Sequence, residues 1–391
     1  MKRGFRFIIA LTLSGLVLSA CQASPVENGL PEDLSAPTPE PEPLEIVTIW
    51  APEAVSSALS DTVAEFEADF GVEVQFTNLE LNEIYQQLES GLNPDIFFGT
   101  HSWTQDLVDD AVVSELELGI LGNRFPESLE NAFRVDDDFY GVAVSEQHVS
   151  LICNSELVPE QPSANQLSDI GLGLALDPQL GDPYHLYPFM SSFGVDLENP
   201  EETDFGSAAG YEFAAWMARE GSTLFDLTND FQTIADGFNS GEFGCWLSGP
   251  WATAYLEPEI LELAVVYPVP DVGDFEATAL VDVAGFFINS QSDDPVYANT
   301  LVLENFTRNE SQLAVASALS GIPAVETDNE FLSGFRETAA ETLPTPASEF
   351  LNQLWPMLGA AQAELLVEDA DSVEIWSSFV SEVEQLRLNT G

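Results

Sequence analysis

From residue 45 onward the chain alternates short β-branched and aromatic runs with longer stretches whose apolar positions recur every three or four residues. Residues 45–51 read as a strand. Val55, Leu59, Val63, Phe66 and Phe70 follow at spacings of 4, 4, 3 and 4, which puts them on one face of a single helix. Gly71 stands just past that helix, where a cap residue is expected. A strand over 72–77, a helix carrying Ile84 and Leu88, then Gly91 and a strand over 95–98 repeat the unit. Strand–helix–strand at this spacing implies parallel pairing with helices on the sheet faces, an α/β fold.

Farther along, Val135-Asp136-Asp137-Asp138-Phe139-Tyr140-Gly141 reads as a hairpin turn. Three adjacent Asp invite calcium, but the alternating ligands and closing Glu of a calcium loop are missing, and a solvated turn is expected. Residues 230–240 form a helix with Phe231, Ile234 and Phe238 inward, and a strand over 243–247 leads into Ser248-Gly249-Pro250-Trp251. Pro250 suits the first turn of a new helix, from which Trp251 projects. Residues 297–319 read as one helix, ended by Gly321 and Pro323. No internal repeat is present.

The first 44 residues follow another logic. Lys2, Arg3 and Arg6 precede an apolar run over 7–18, too short to span a bilayer, and then Leu18-Ser19-Ala20-Cys21. This reads as a secretory signal over 1–20, ending in a tetrapeptide that looks like a bacterial lipobox. Cleavage before Cys21 would leave a lipid-modified N-terminus, an anchor without a membrane-spanning helix. Residues 21–44 hold Pro25, Pro31, Pro37, Pro39, Pro41 and Pro43 among acids and cannot bury enough surface to fold, so they are expected to act as a tether. The expected location is the outer face of the cytoplasmic membrane, with lipid as the only membrane contact.

Charge narrows the function classes. Asp and Glu total 67 against 9 Lys and Arg, a net charge of −58, and Lys2 is the only lysine. Such a field repels phosphate backbones and anionic lipid, so nucleic-acid binding is excluded. It also disfavours an anionic ligand, which needs Arg forks or Lys. The acidic surface reads as adaptation to saline surroundings. The melting temperature should therefore rise with added NaCl as self-repulsion is screened; a flat or falling response would count against this.

Enzyme signatures are missing. There is no phosphate-binding glycine loop, no Gly-x-Ser-x-Gly elbow and no zincin histidine pair, and His101, His148 and His185 are too scattered for a metal signature. No cofactor or metal is expected. Cys153 and Cys245 both fall in predicted strands; they form a disulfide if those strands are neighbours, and otherwise are two buried thiols.

A series of short segments runs through the body in order: Ile49-Trp50-Ala51, Phe66 to Gly71, Asn93 to His101, Phe139 to Ala143, Leu151 to Pro159, Gly181-Asp182-Pro183-Tyr184-His185-Leu186-Tyr187-Pro188-Phe189, Ser248-Gly249-Pro250-Trp251 and Gly321-Ile322-Pro323-Ala324. In this series the chain resembles the extracellular solute-binding proteins of bacterial ABC importers, in their maltose/maltodextrin-binding branch. The resemblance implies a two-lobed periplasmic-binding-protein-like fold closing over a ligand. Its lobes would comprise residues 45–147 with 277–322 and residues 148–276 with 323–391. It further implies a monomer that delivers a neutral oligosaccharide to a permease and does no chemistry. Such a ligand stacks its ring faces on aromatics and gives its hydroxyls to carboxylates and amides, which requires no cation.

Carried over position by position, the resemblance implies that Glu53, Trp103, Gln147, Asp182, Tyr184, His185, Trp251 and Trp355 face the ligand. Packing readings stand beside these: Trp251, Tyr184 and Trp103 as core residues, His185 as a structural histidine, and Trp355 as buried, with Leu354 or Trp355 in the aligned place. Two departures stand out. Ser102 follows His101 where relatives often carry an acid, and Gln147 replaces a common cleft Glu, which removes a charge-assisted acceptor. Linkage or chain-length preference can shift accordingly. A polyamine-like cation is the alternative ligand, since acids and aromatics also cage cations. An exported glycoside hydrolase is the rival from another class.

Overall fold

The computed structural model describes residues 45–390, apart from 119–124, 126–128, 130, 226, 228–229 and 340–341. The predicted signal segment, Cys21 and the tether lie outside the described residues. Among the described residues no helix is long and apolar enough to cross a membrane.

The strands are β1 (Ile46–Ala51), β2 (Glu73–Asn78), β3 (Ile96–Thr100), β4 (Arg134–Val135), β5 (Asp138–Phe139), β6 (Gly141–His148), β7 (Ser150–Asn154), β8 (Leu172–Gly173), β9 (Cys245–Ser248), β10 (Ala264–Tyr267), β11 (Ala279–Ile288), β12 (Ile322–Pro323) and β13 (Thr342–Pro344). One sheet runs β12-β6-β11-β3-β1-β2, with β13 beside β11; a second runs β10-β7-β9-β8. β4 and β5 form the expected hairpin around Asp136 and Asp137, with Arg134 paired to Asp137 at 3.0 Å. β1 lies parallel to β2 and β3, as strand–helix–strand spacing requires.

The first helix differs from its expected form. It is two segments, Glu53–Ala58 and Ser60–Phe70, with Leu59 between them. The backbone N–H of Leu59 still donates to Val55 and its carbonyl still accepts from Val63, so the predicted apolar face survives the break. Residues 297–319 also divide, into Pro295–Thr300, a wide turn over Leu301–Phe306, and Asn309–Ala318. Polar side chains explain the division. Asn305 donates to the carbonyl of Thr300, Thr307 to Leu303 and Ser311 to Asn305, replacing the regular ladder where the chain turns.

The first core gathers Val47, Ile49, Phe66, Phe97 and Phe98 with Val283, Phe286 and Phe306. The second sheet is covered on both faces, because alternate residues of a strand point opposite ways. Leu151, Cys153, Cys245 and Leu247 join a core completed by the helices Pro183–Ser191, Glu349–Leu365 and Ser372–Thr390. Ile152 and Trp246, on the other face, pack with Phe238, Phe331 and Phe335. Cys153 and Cys245 are register partners in β7 and β9 and are joined by a disulfide. The chain passes between the sheets at Val149, joining β6 to β7, and again between β10 and β11. These passages join two parts, each built on its own sheet, and the fold is two-lobed.

Candidate functional site

Between the parts of this body lies a cavity of about 1340 Å³. Tyr85, Trp103 and Asp106 line it from the first part and Asp182, Tyr184 and Trp355 from the second, with Asp282 on β11 and Thr345 just past β13. Two indole platforms are built by the same device, a glycine on which the ring lies. A Cβ at Gly99, near the end of β3, would sit 2.5 Å from the Trp103 ring, and one at Gly249, just past β9, would sit 2.1 Å from the Trp251 ring. Only glycine permits such an approach.

Trp103 is half-buried and tilted against Tyr85 at 5.2 Å between centroids. The Tyr85 hydroxyl donates to Asp106 at 3.3 Å, and burial with the nearby Asp106 and Glu89 charges pushes its pKa up to about 12. Opposite, Asp182 caps the helix Pro183–Ser191 by accepting from the His185 backbone N–H at 3.1 Å. Its second oxygen lies 2.7 Å from Nδ1 of the same residue. Burial raises its pKa, but the His185 contacts outweigh this and hold it below the usual value. Tyr184 follows the capping residue by two positions, so the cap sets its direction. Its hydroxyl donates to the Gln147 carbonyl at 2.8 Å, and burial beside Asp282 and Asp182 keeps the phenol protonated. His185 and Tyr184 pack on Trp251 at 5.7 and 6.4 Å.

The structure thus places Trp103, Asp182, Tyr184 and Trp355 on the cavity wall and sets His185 and Trp251 against Tyr184. Trp355 is half-buried on the wall instead of buried, and Leu354 is the fully buried neighbour, because one residue along a helix rotates the side chain off the core face. Glu53 is exposed and does not line the cavity; it begins its helix right after Pro52, where the dipole favours a carboxylate facing solvent. Gln147 does not present its amide there either. That amide donates to the Leu319 carbonyl at 3.0 Å, and the backbone oxygen is what meets Tyr184.

Among the lining residues that sequence reasoning missed are Tyr85, Thr345 and Asp282. Tyr85 is an aromatic on the polar side of a helix and Thr345 stands in a nondescript loop, so neither carried a signal. Asp282 did: it is a lone acid inside the apolar run of β11, and a polar residue in such a run is the informative exception. Among the described residues seven carboxylates line the cavity (Glu89, Asp106, Asp109, Asp110, Asp182, Asp282 and Glu349), and no Lys, Arg or His does. The wall can therefore stack flat rings and accept hydrogen bonds, but it offers no cation to an anionic solute.

Comparison with solved structures gives likenesses at low identity. An extracellular solute-binding protein from Staphylococcus aureus in complex with maltose aligns with TM-score 0.73 and 18% identity, over 89% of this chain and 98% of that one. A cyclo/maltodextrin-binding protein complexed with maltotetraose aligns with TM-score 0.72 and 17% identity, over 89% and 97%. The maltotriose binding protein of Thermus thermophilus aligns with TM-score 0.66 and 19% identity, over 87% and 99%. No curated protein matches the sequence. Residues 61–328, well over half of the chain, match the model of one family. The protein belongs to the bacterial extracellular solute-binding proteins.

Proposed function

We propose that this protein is the receptor of a carbohydrate ABC importer, capturing a neutral oligosaccharide of the maltodextrin type and passing it to the permease. It acts as a monomer, held at the outer face of the cytoplasmic membrane by lipid on Cys21. The observation that carries the reading is the wall of the cavity: rings from both sides, carboxylates between them and, among the described residues, no cationic side chain. A sugar offers apolar ring faces to Trp103, Tyr184 and Trp355 and hydroxyls to the acids. A ligand touching both parts of the body favours the closed arrangement, so capture and closure are one equilibrium.

A thermal-shift panel at two salt concentrations tests this, with glucose, maltose, maltotriose, longer glucans, trehalose, sucrose, cellobiose and spermidine. A ligand at a hundred times its dissociation constant adds about 2.7 kcal/mol to stability. Maltose-series sugars should raise the melting temperature equally at both salts. Silence for every sugar, with no compaction by scattering, would overturn the reading.

The seven wall carboxylates favour one second reading, a polyamine-like cation. Its mark is a shift with spermidine alone that high salt abolishes. Release of reducing ends from maltodextrin would instead point to a hydrolase.

A further inference from the structure

The wall acids are not equivalent. Asp182, the one the resemblance selects, already has one oxygen on the His185 backbone N–H and the other beside the His185 ring. Asp282 is different. It is half-buried in β11, opposite Gln147 across the β6–β11 ladder, and lines the cavity wall. The Thr345 hydroxyl, which donates to the Val281 carbonyl at 3.3 Å, is also within its reach, and burial holds its pKa above the usual carboxylate range against the pull of His101.

His101 stands behind this pair as a fixed neutral ring. Its Nδ1 accepts from the Val283 backbone N–H at 3.1 Å and its Nε2 donates to the Thr345 carbonyl at 3.1 Å. In front, the Tyr184 hydroxyl bonds both the Asp282 backbone and, at 2.8 Å, the Gln147 carbonyl. Five separate segments, carrying Asp282, Thr345, His101, Tyr184 and Gln147, therefore meet around this position on the cavity wall. A carboxylate has roughly four lone-pair sites, and a single hydroxyl occupies one of them. Because Asp282 lines the cavity, the others are within reach of a solute held there.

We propose that Asp282 is a ligand-contacting, specificity-determining residue whose carboxyl receives two adjacent hydroxyls of the bound sugar ring. This rests on the sugar reading above and adds the group that selects a vicinal diol over a solute lacking one. Gln147, directly across the ladder, has its amide turned to Leu319, so the recognising oxygen comes from β11.

Titration calorimetry of the full-length protein with maltotriose tests the assignment, using wild type, Asp282→Asn and Asp282→Glu. Hydrogen bonds to a charged group weaken on neutralisation, so Asp282→Asn should lose about ten- to a hundredfold in affinity, with no fall in its unliganded melting temperature. Asp282→Glu keeps the charge but moves both oxygens by one methylene, and should lose at least about tenfold, because bidentate contact depends on position. If Asp282→Glu binds like wild type, the residue acts through its field and the contact is overturned. If wild type binds and Asp282→Asn stays within twofold, the inference falls while the sugar reading stands. If wild type binds no maltodextrin, both fall. Should Asp282→Asn not fold, the Asp282→Glu comparison decides.

Discussion

Breaking the Cys153–Cys245 disulfide is expected to lower stability by about 4–5 kcal/mol, because the link spans 92 residues and restricts the unfolded chain. The two cysteines face each other in adjacent antiparallel strands, at a pair flanked by the Asn154 N–H to Gly244 carbonyl bond. Theirs is therefore a non-hydrogen-bonded position, where side chains approach most closely. Both are fully buried. The same register sets Ser150 against Ser248, one residue before the Gly249 on which Trp251 lies, so the link also fixes the base of an indole beside the cavity. Urea unfolding of oxidised wild type, reduced wild type and the Cys153→Ala/Cys245→Ala variant checks this. Reduced wild type keeps both sulfur atoms and is the cleaner comparison, since alanine adds cavity cost. Reductant should move the wild-type midpoint strongly and leave the variant unchanged. Coincident midpoints for oxidised and reduced wild type would show that the link contributes nothing.

The strand and helix pattern was legible at the sequence level because β1 and the helices after it bury one face each, and a one-sided apolar period is what a sequence displays. What was not legible was where side chains take over backbone bonding. Asn305, Thr307 and Ser311 break the expected helix by hydrogen bonds to backbone carbonyls four to six residues back, which the apolar period does not register. The site divides the same way. Asp182, Tyr184 and Trp251 lie in local motifs, a capped helix start and a glycine platform, so their neighbours are close in sequence. Asp282 and Thr345 meet His101 across 181 and 244 positions, and no local pattern carries such a meeting. Gln147 shows the converse: its position follows from the motif order, but its amide direction follows from Leu319, which only the folded chain supplies.

Glu146 should make the protein less stable as pH rises from about 4.5 to 7, and replacing it with glutamine should remove that loss. The residue lies in β6 between Val283 of β11 and Ile322 of β12 and is 2% exposed. Burial raises its pKa from an ordinary 4.5 to about 7, and the pull of Arg336 only partly opposes this. Arg336 is committed elsewhere, donating to the carbonyls of Pro323 and Val325. Below the unfolded value both states are protonated and nothing is lost. Between the two values the unfolded chain ionises while the folded one holds its proton, so stability falls and then levels off above the folded value. A shift of this size corresponds to about 3 kcal/mol. His148, two residues on, works in the opposite sense. Burial lowers its pKa to about 4, so its contribution is present above 6.5 and is lost as pH falls toward 4. The wild-type profile therefore mixes both slopes, and the useful quantity is the difference between Glu146→Gln and wild type. Measured by chemical denaturation, that difference should favour the variant by about 3 kcal/mol more at pH 8 than at pH 4.5. A difference that does not change with pH would mean that the carboxyl ionises inside the fold as readily as it does outside, and that Arg336 offsets its burial in full.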